Sequence, residues 1–206
     1  RMSRGLVRPI PNVASPAAQL GTQFHAWAER FIMADVDIAC IVGDAEGNGN
    51  TCVAESRSSM LAEIERNNGM QSQENNAAVE NAVENAMENN ALFDWQQRLA
   101  TSAWAQRKPA WAERQIVVNM PQLGTIINGK LDAVFFGGLN EKGQSKQYTI
   151  VDWKTGKKPR KKEEIQEKLV QLDMYRLLLS AMEGVPLDAI DACLYYLSEP
   201  IEGDRQ

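Results

Sequence analysis

The sequence predicts an α/β fold, a mixed sheet flanked by helices, on three observations. Three β-prone runs, at about 112–120, 123–136 and 147–154, follow one another closely enough to form an antiparallel meander. A helix-period run from about 163 to 183 then leads into a further apolar strand, Ile190 to Leu197. Helical patterning also precedes the sheet, beginning at Ser15. At 206 residues the chain suits one domain with a full core. Within it the stretch at about 40–108 reads as a helical, partly low-complexity insertion.

The first helix starts at Ser15-Pro16, with Ser as N-cap and Pro in the first helical position. Leu20, Phe24, Trp27 and Phe31 follow at helical spacing and predict a core-facing stripe. Gly21, His25 and Glu29 run down its flank. His25 is the chain's single histidine. Beside an aromatic stripe such a residue is either a packed or surface imidazole or a ligand. Glu29, one turn on, is placed either to orient that ring or to face solvent.

The middle of the chain is less regular. Gly43 to Thr51 is a loop by composition. Ala78 to Asn89 contains a near-repeat of period four, which gives Val79, Val83 and Met87 a thin, drifting stripe. Its asparagines make an isolated helix marginal, so it reads as a flexible insertion or as a helix packed on something else. A stronger helix is expected over 91–106, with Leu92, Trp95, Leu99 and Trp104, and Pro109 marks the approach to the first strand.

In the second strand run, period two puts Ile127, Leu131, Ala133 and Phe135 on one side. Asn128, Lys130 and Asp132 fall on the other. An acid within an apolar strand is costly unless a cation compensates it, and for Asp132 that cation is a lysine or a metal. Gly129 suits close backbone approach. Glu113 opens the strand before, where a plain strand-entry charge would also sit.

The most informative segment is Tyr148 to Gly156, YTIVDWKTG. Asp152 and Lys154 are two apart on a strand and so project together, while Val151 and Trp153 turn to the core. The pair is either an ordinary ion pair or the end of a metal and phosphate site. Lys154, Lys157, Lys158, Arg160, Lys161 and Lys162 place six cations in nine residues. Such a run is often only solvated, but its place beside Asp152 and Lys154 favours contact with phosphate. The following helix is expected to bury Ile165, Leu169, Leu172, Leu179 and Met182, with Gln171 and Tyr175 sharing a face.

The formal charge of −5 is unusual for a protein that grips nucleic acid unaided. Three cysteines, Cys40, Cys52 and Cys193, lack paired spacing, which fits a reducing compartment better than a disulfide scaffold. No run approaches membrane-spanning length.

Four motifs stand in one order: Gly21-Thr22-Gln23-Phe24-His25, Gly129-Lys130-Leu131-Asp132, Asp152-Trp153-Lys154-Thr155-Gly156 and Gln171-x-x-x-Tyr175. Together they resemble the RecB-type nuclease domain of the PD-(D/E)xK superfamily, as found at the C-terminus of RecB, AddA and UvrD-like helicase-nucleases. The resemblance spans about residues 15 to 198, with a poor match at about 40–100. It implies a restriction-endonuclease-like α/β fold and a metal-dependent DNA nuclease, an exonuclease module of a DNA-repair helicase-nuclease.

By position, the resemblance makes His25, Asp132, Asp152 and the main-chain carbonyl of Trp153 ligands of Mg²⁺ or Mn²⁺. Asp132, Asp152 and Lys154 form its catalytic set. Gln171 and Tyr175 would contact DNA or brace the site. Lys157, Lys158, Arg160, Lys161 and Lys162 would meet the DNA backbone, and Glu113 is a looser match to a glutamate of relatives. Some relatives carry a four-cysteine iron–sulfur cluster; three cysteines are too few, so no iron–sulfur cluster is expected. The chemistry implied is metal-assisted phosphodiester hydrolysis, with Lys154 stabilising developing charge or positioning the attacking water.

A helicase motor in the same chain or complex would supply the DNA grip that this acidic chain lacks, and Arg1-Met2 at the start reads as a piece of a longer protein. The resemblance places the protein in the bacterial cytoplasm, beside the nucleoid. A free-standing exonuclease of the same type, a DNA-binding module with a decayed site, and a domain that clamps a helicase are the competing readings.

Overall fold

A computed structural model describes residues 15–34, 56–74, 80–120, 124–139 and 146–199. Helix α1 (Pro16–Met33) begins where Ser15 Oγ accepts the Ala18 peptide N–H at 3.3 Å. Its expected stripe of Leu20, Phe24, Trp27 and Phe31 is buried, joined by Ala28 and Ile32. Helices α2 (Arg57–Glu74) and α3 (Glu80–Thr101) follow, then a 3₁₀ turn at Ala103–Gln106. The helix expected over 91–106 therefore starts earlier and ends earlier, with its last turn tightened. Leu99 is fully buried, and Leu92, Trp95 and Trp104 pack around it. The loop at Gly43 to Thr51, the Val79, Val83 and Met87 stripe, and Cys40 and Cys52 lie outside the described residues and side chains.

Arg57 joins these helices to α1. Its guanidinium donates to the carbonyls of Phe31 (2.9 Å), Ile32 (2.8 Å) and Ala105 (2.6 Å). The last carbonyls of a helix have no partner within it, so a side-chain donor there satisfies groups that would otherwise be left bare.

The sheet has four strands in the order β1-β2-β3-β4: β1 (Pro109–Met120), β2 (Thr125–Phe136), β3 (Tyr148–Lys154) and β4 (Ile190–Tyr196). The first three form the expected antiparallel meander, and β4 lies parallel to β3. A parallel neighbour needs a crossover, supplied by α4 (Lys162–Glu183). Pro109 belongs to β1 rather than preceding it, at the sheet edge where a missing N–H is tolerated. Gly124, with φ 58°, occupies the turn before β2. The Gly137 N–H donates to the Gln147 carbonyl at 2.9 Å, closing the base of the connection to β3.

Helices cover both faces. Phe24, Trp27, Phe31 and Leu99 pack against Ala133, Phe135, Val151 and Trp153 on one face. Leu178 and Leu179 of α4 pack against Ile116, Leu131, Val134, Ile150 and Ile190 on the other. Each fully buried large side chain contributes about 1.5–3 kcal/mol.

Two expectations are corrected. Leu131 and Ile127 pack with the α4 cluster, whereas Ala133 and Phe135 pack with the α1 cluster. The alternation of β2 thus reverses between Leu131 and Ala133, beside a break in the β1 ladder described below. On α4, Ile165 and Leu169 are exposed and Leu178 fills the core in their place. This helix carries apolar residues around much of its circumference, so spacing alone did not select the buried face.

Candidate metal centre and active site

The site forms where the sheet stops being regular. β1 and β2 pair Ala112 with Ala133 and Arg114 with Leu131, passing over Glu113 and Asp132. Glu113 has φ 49°, a left-handed conformation that costs a non-glycine residue about 1–3 kcal/mol unless its surroundings hold it. The β2–β3 ladder ends at Ala133–Val151. One step beyond, the Trp153 peptide N–H donates to Asp132 Oδ2 at 2.8 Å, so a side chain takes the place of the backbone acceptor. On an antiparallel strand a residue's N–H and C=O face the same neighbour. The Trp153 carbonyl therefore faces the same gap.

Helix α1 brings His25 to this gap. Its close approach uses Gly21, where a Cβ would lie 3.3 Å from Thr155 Oγ1. His25 Nδ1 lies 3.2 Å from Glu113 Oε1 and 3.5 Å from Asp132 Oδ1. One donor atom from each of His25, Glu113 and Asp132 lies within 4.8 Å of the others. Asp152 is not in that group. It is buried on β3, and Lys154 Nζ lies 2.5 Å from its Oδ2, which accepts no well-aligned hydrogen bond.

The lysines are already engaged. Lys130 pairs with Glu113 Oε2, a role that the sequence did not suggest. Lys154 pairs with Asp152. Asp132 is left with one peptide N–H and the imidazole. Burial, reinforced by the charge of Asp152, pushes its carboxyl up to about 6 although His25 and the Trp153 N–H pull the other way. For His25, burial favours the neutral ring, but Glu113, Asp132 and Asp152 together outweigh it and raise its pKa. Burial likewise acts against the Glu113 carboxylate, and His25 and Lys130 more than offset it, so its pKa falls. Burial opposes the Lys154 ammonium too, yet the Asp152 carboxylate prevails and keeps it charged.

These residues suit a divalent ion. With bonds of ~2.1 Å, adjacent ligands of an octahedral Mg²⁺ or Mn²⁺ lie roughly 3 Å apart, close to the His25–Glu113 and His25–Asp132 separations. The donor set, carboxylates with one imidazole, is hard to borderline. Asp132 has no lysine partner, and a cation there would offset the burial that pushes its carboxyl up.

Gln171 Nε2 donates to the Tyr175 hydroxyl at 2.7 Å, and burial raises the pKa of that phenol. Gly129 lets α4 come close: a Cβ there would lie 3.2 Å from Leu178 Cδ1 and 4.0 Å from Tyr175 Cε1. Lys157, Lys158 and Arg160 line a cavity beside Lys154. Lys161 pairs with Glu164 at 3.4 Å, and Lys162 opens α4. Glu29 is exposed, and the partner at His25 Nδ1 is Glu113 instead. Glu113 was only a loose match in sequence; its register opposite Asp132 is the signal that identifies it, and register becomes known only once the strands are paired.

A mixed four-stranded sheet with helices on both faces and acids where its ladders part defines the restriction-endonuclease-like α/β class. A family model for the PD-(D/E)XK nuclease superfamily matches residues 2–206, and the chain belongs to that superfamily, whose members are generally metal-dependent nucleases that act on DNA. No curated protein matches the chain. No described helix is long and apolar enough to cross a membrane.

Proposed function

We propose that the chain is a Mg²⁺- or Mn²⁺-dependent deoxyribonuclease of RecB type, an exonuclease module working with a helicase motor in DNA repair. The observation that carries this reading is the state of Asp132. It is half-buried at the meeting point of His25, Glu113 and Asp152, and both nearby lysines are spent on other acids. In this reading residues 1–206 are a single nuclease domain with 40–108 as an insertion, and it acts in the bacterial cytoplasm beside the nucleoid.

His25 and Asp132 would hold the ion, with Asp152 and the Trp153 carbonyl on its β3 side and Glu113 as a further ligand or as the group that fixes the imidazole. A divalent ion bound there supplies a Lewis acid for a phosphoryl oxygen and a more acidic water. Lys154, held charged by Asp152, acts as an electrostatic stabiliser of the phosphorane-like transition state rather than as a base. Gln171 and Tyr175 brace the strand-facing side. Lys157, Lys158, Arg160, Lys161 and Lys162 meet the phosphate backbone, which positions DNA without reading its bases. The chain's net charge of −5 supports a partner that provides the remaining grip.

The test is cleavage of end-labelled linear and circular DNA, single- and double-stranded, with Mg²⁺, Mn²⁺ or EDTA. Metal-dependent loss of linear substrates with circles spared is the expected result. Full activity of metal-free protein in EDTA would overturn the metal mechanism, and equal attack on circles would overturn exonuclease action.

A further inference from the structure

Beside the active-site strand is a cavity of about 570 Å³ whose wall is chemically unlike the rest of this acidic protein. Lys154, Lys157, Lys158, Arg160 and Lys168 line it, against the carboxylates of Glu164 and Glu167. Lys154 belongs to both places, since its ammonium contacts Asp152 and its side chain also lines the cavity. Tyr196, at the end of β4, completes the wall.

The cationic loop is held in place rather than merely solvated. The Leu197 N–H donates to the Lys154 carbonyl at 2.9 Å, and Ser198 Oγ to the Gly156 carbonyl at 2.7 Å. The Lys158 N–H donates to Glu199 Oε1 at 3.2 Å, while Arg98 holds the Glu199 carbonyl. Three hydrogen bonds thus tie residues 154–158 to the segment that follows β4. A loop fixed in this way presents its lysines and arginine at small further cost in entropy.

We propose that this cavity seats a phosphomonoester at the end of a DNA strand, next to the phosphodiester that lies at the metal centre. The inference rests on the nuclease reading and adds to it what the enzyme recognises. Three features select this ligand. The volume holds a nucleotide and not only a phosphate, within the ~300–1,000 Å³ of typical ligand sites. The wall has an excess of cations, partly offset by Glu164 and Glu167, so a monoester carrying about −1.5 to −2 gains more than a singly charged diester. The Lys168 ammonium on the cavity wall can donate to the additional terminal oxygen.

The experiment compares linear single strands bearing a phosphate or a hydroxyl at the 5′ end, and separately at the 3′ end, in the full chain with Mn²⁺. The phosphorylated form of one end is expected to be degraded roughly tenfold faster, the worth of about one charge-assisted contact. The end that shows the preference identifies the strand polarity. Lys168→Ala should bring the phosphate-to-hydroxyl rate ratio towards one. A wild-type ratio of one at both ends overturns the proposal, as does a ratio that Lys168→Ala leaves unchanged. Binding of the dinucleotides pTpT, TpTp and TpT to the full chain provides a readout independent of cleavage. If no DNA is cut under any condition, the nuclease reading fails; pTpT or TpTp binding tenfold tighter than TpT then still upholds the cavity's assignment, and equal binding of all three overturns it.

Discussion

Trp153 donates its peptide N–H to Asp132 Oδ2 across 2.8 Å, just past the point where β2 and β3 cease to pair. The bond orients one acid of the site from the backbone of the strand that carries the other. It leaves Asp132 Oδ1 towards His25, 3.5 Å away. Asp132→Ala would therefore remove a proposed ligand and unpin the start of the gap together.

Metal binding should stabilise the protein. Mn²⁺ at a hundred times its Kd should add about 2.7 kcal/mol to the folded state. His25→Ala and Asp132→Ala should lose most of the resulting rise in Tm. A thermal melt with and without Mn²⁺ reads this directly, and an undiminished rise in His25→Ala would remove the imidazole from the ligand set.

Catalysis should depend on the same groups acting together. Asp132→Ala, Asp152→Ala and Lys154→Ala should each cut turnover about a hundredfold or more, the scale for loss of one preorganised charge. The double variant of both aspartates should be little worse than either single change. Turnover of Asp152→Ala at the wild-type level would defeat the nuclease assignment.

The pH dependence has a definite sign. The Asp132 carboxyl is raised to about 6 in the fold from about 3.9 in an unfolded chain. Its protonation favours the metal-free fold: the contribution is fully present below about pH 4 and is lost as pH rises through about 6. A divalent ion requires the deprotonated group, so Mn²⁺ affinity should climb between about pH 5 and 7. The raised pKa of His25 adds proton competition of the same sign. Calorimetric titration at several pH values checks the slope, which should be shallower in Asp132→Asn.

Gly129→Val tests packing rather than chemistry. Its Cβ would press on Leu178 Cδ1 at 3.2 Å. Valine suits a strand, so any loss reflects that contact, and overpacking of this kind costs about 1–3 kcal/mol. A Tm lowered by several degrees is the expected melt, and an unchanged Tm would mean that α4 shifts freely.

Replacing Lys157, Lys158, Lys161 and Lys162 together by Ala should weaken DNA binding and flatten its dependence on salt, because fewer counterions are released. Anisotropy titrations across a salt series measure the slope. Mn²⁺ affinity should hardly change, and an unaltered slope would leave the lysines as solvated charge.

Local patterns were legible in the chain, and distant geometry was not. The α1 stripe and the shared face of Asp152 and Lys154 follow from periods of 3.6 and 2, which neighbouring residues impose. The partnership of Glu113 with His25 follows from no such period. It depends on a left-handed residue in β1, on the register of β1 against β2, and on how close Gly21 lets α1 come. The reversal of β2 at Asp132 escaped for the same reason, since alternation presumes an unbroken ladder. Ile165 and Leu169 fit the helical spacing yet stay exposed, because α4 offers more apolar positions than its contact with the sheet can cover.

Arg57 gives the helices ahead of the sheet a stake in the chemistry. Its three hydrogen bonds reach the end of the helix that carries His25 and the turn that leads into the sheet. Trimming this stretch to reach a minimal nuclease would strip the anchor from one end of that helix. A ring that must stay within a few tenths of an ångström of its partners would then swing on a loosened lever. The stretch that looks most expendable in the chain is the one whose removal would blunt the site from a distance.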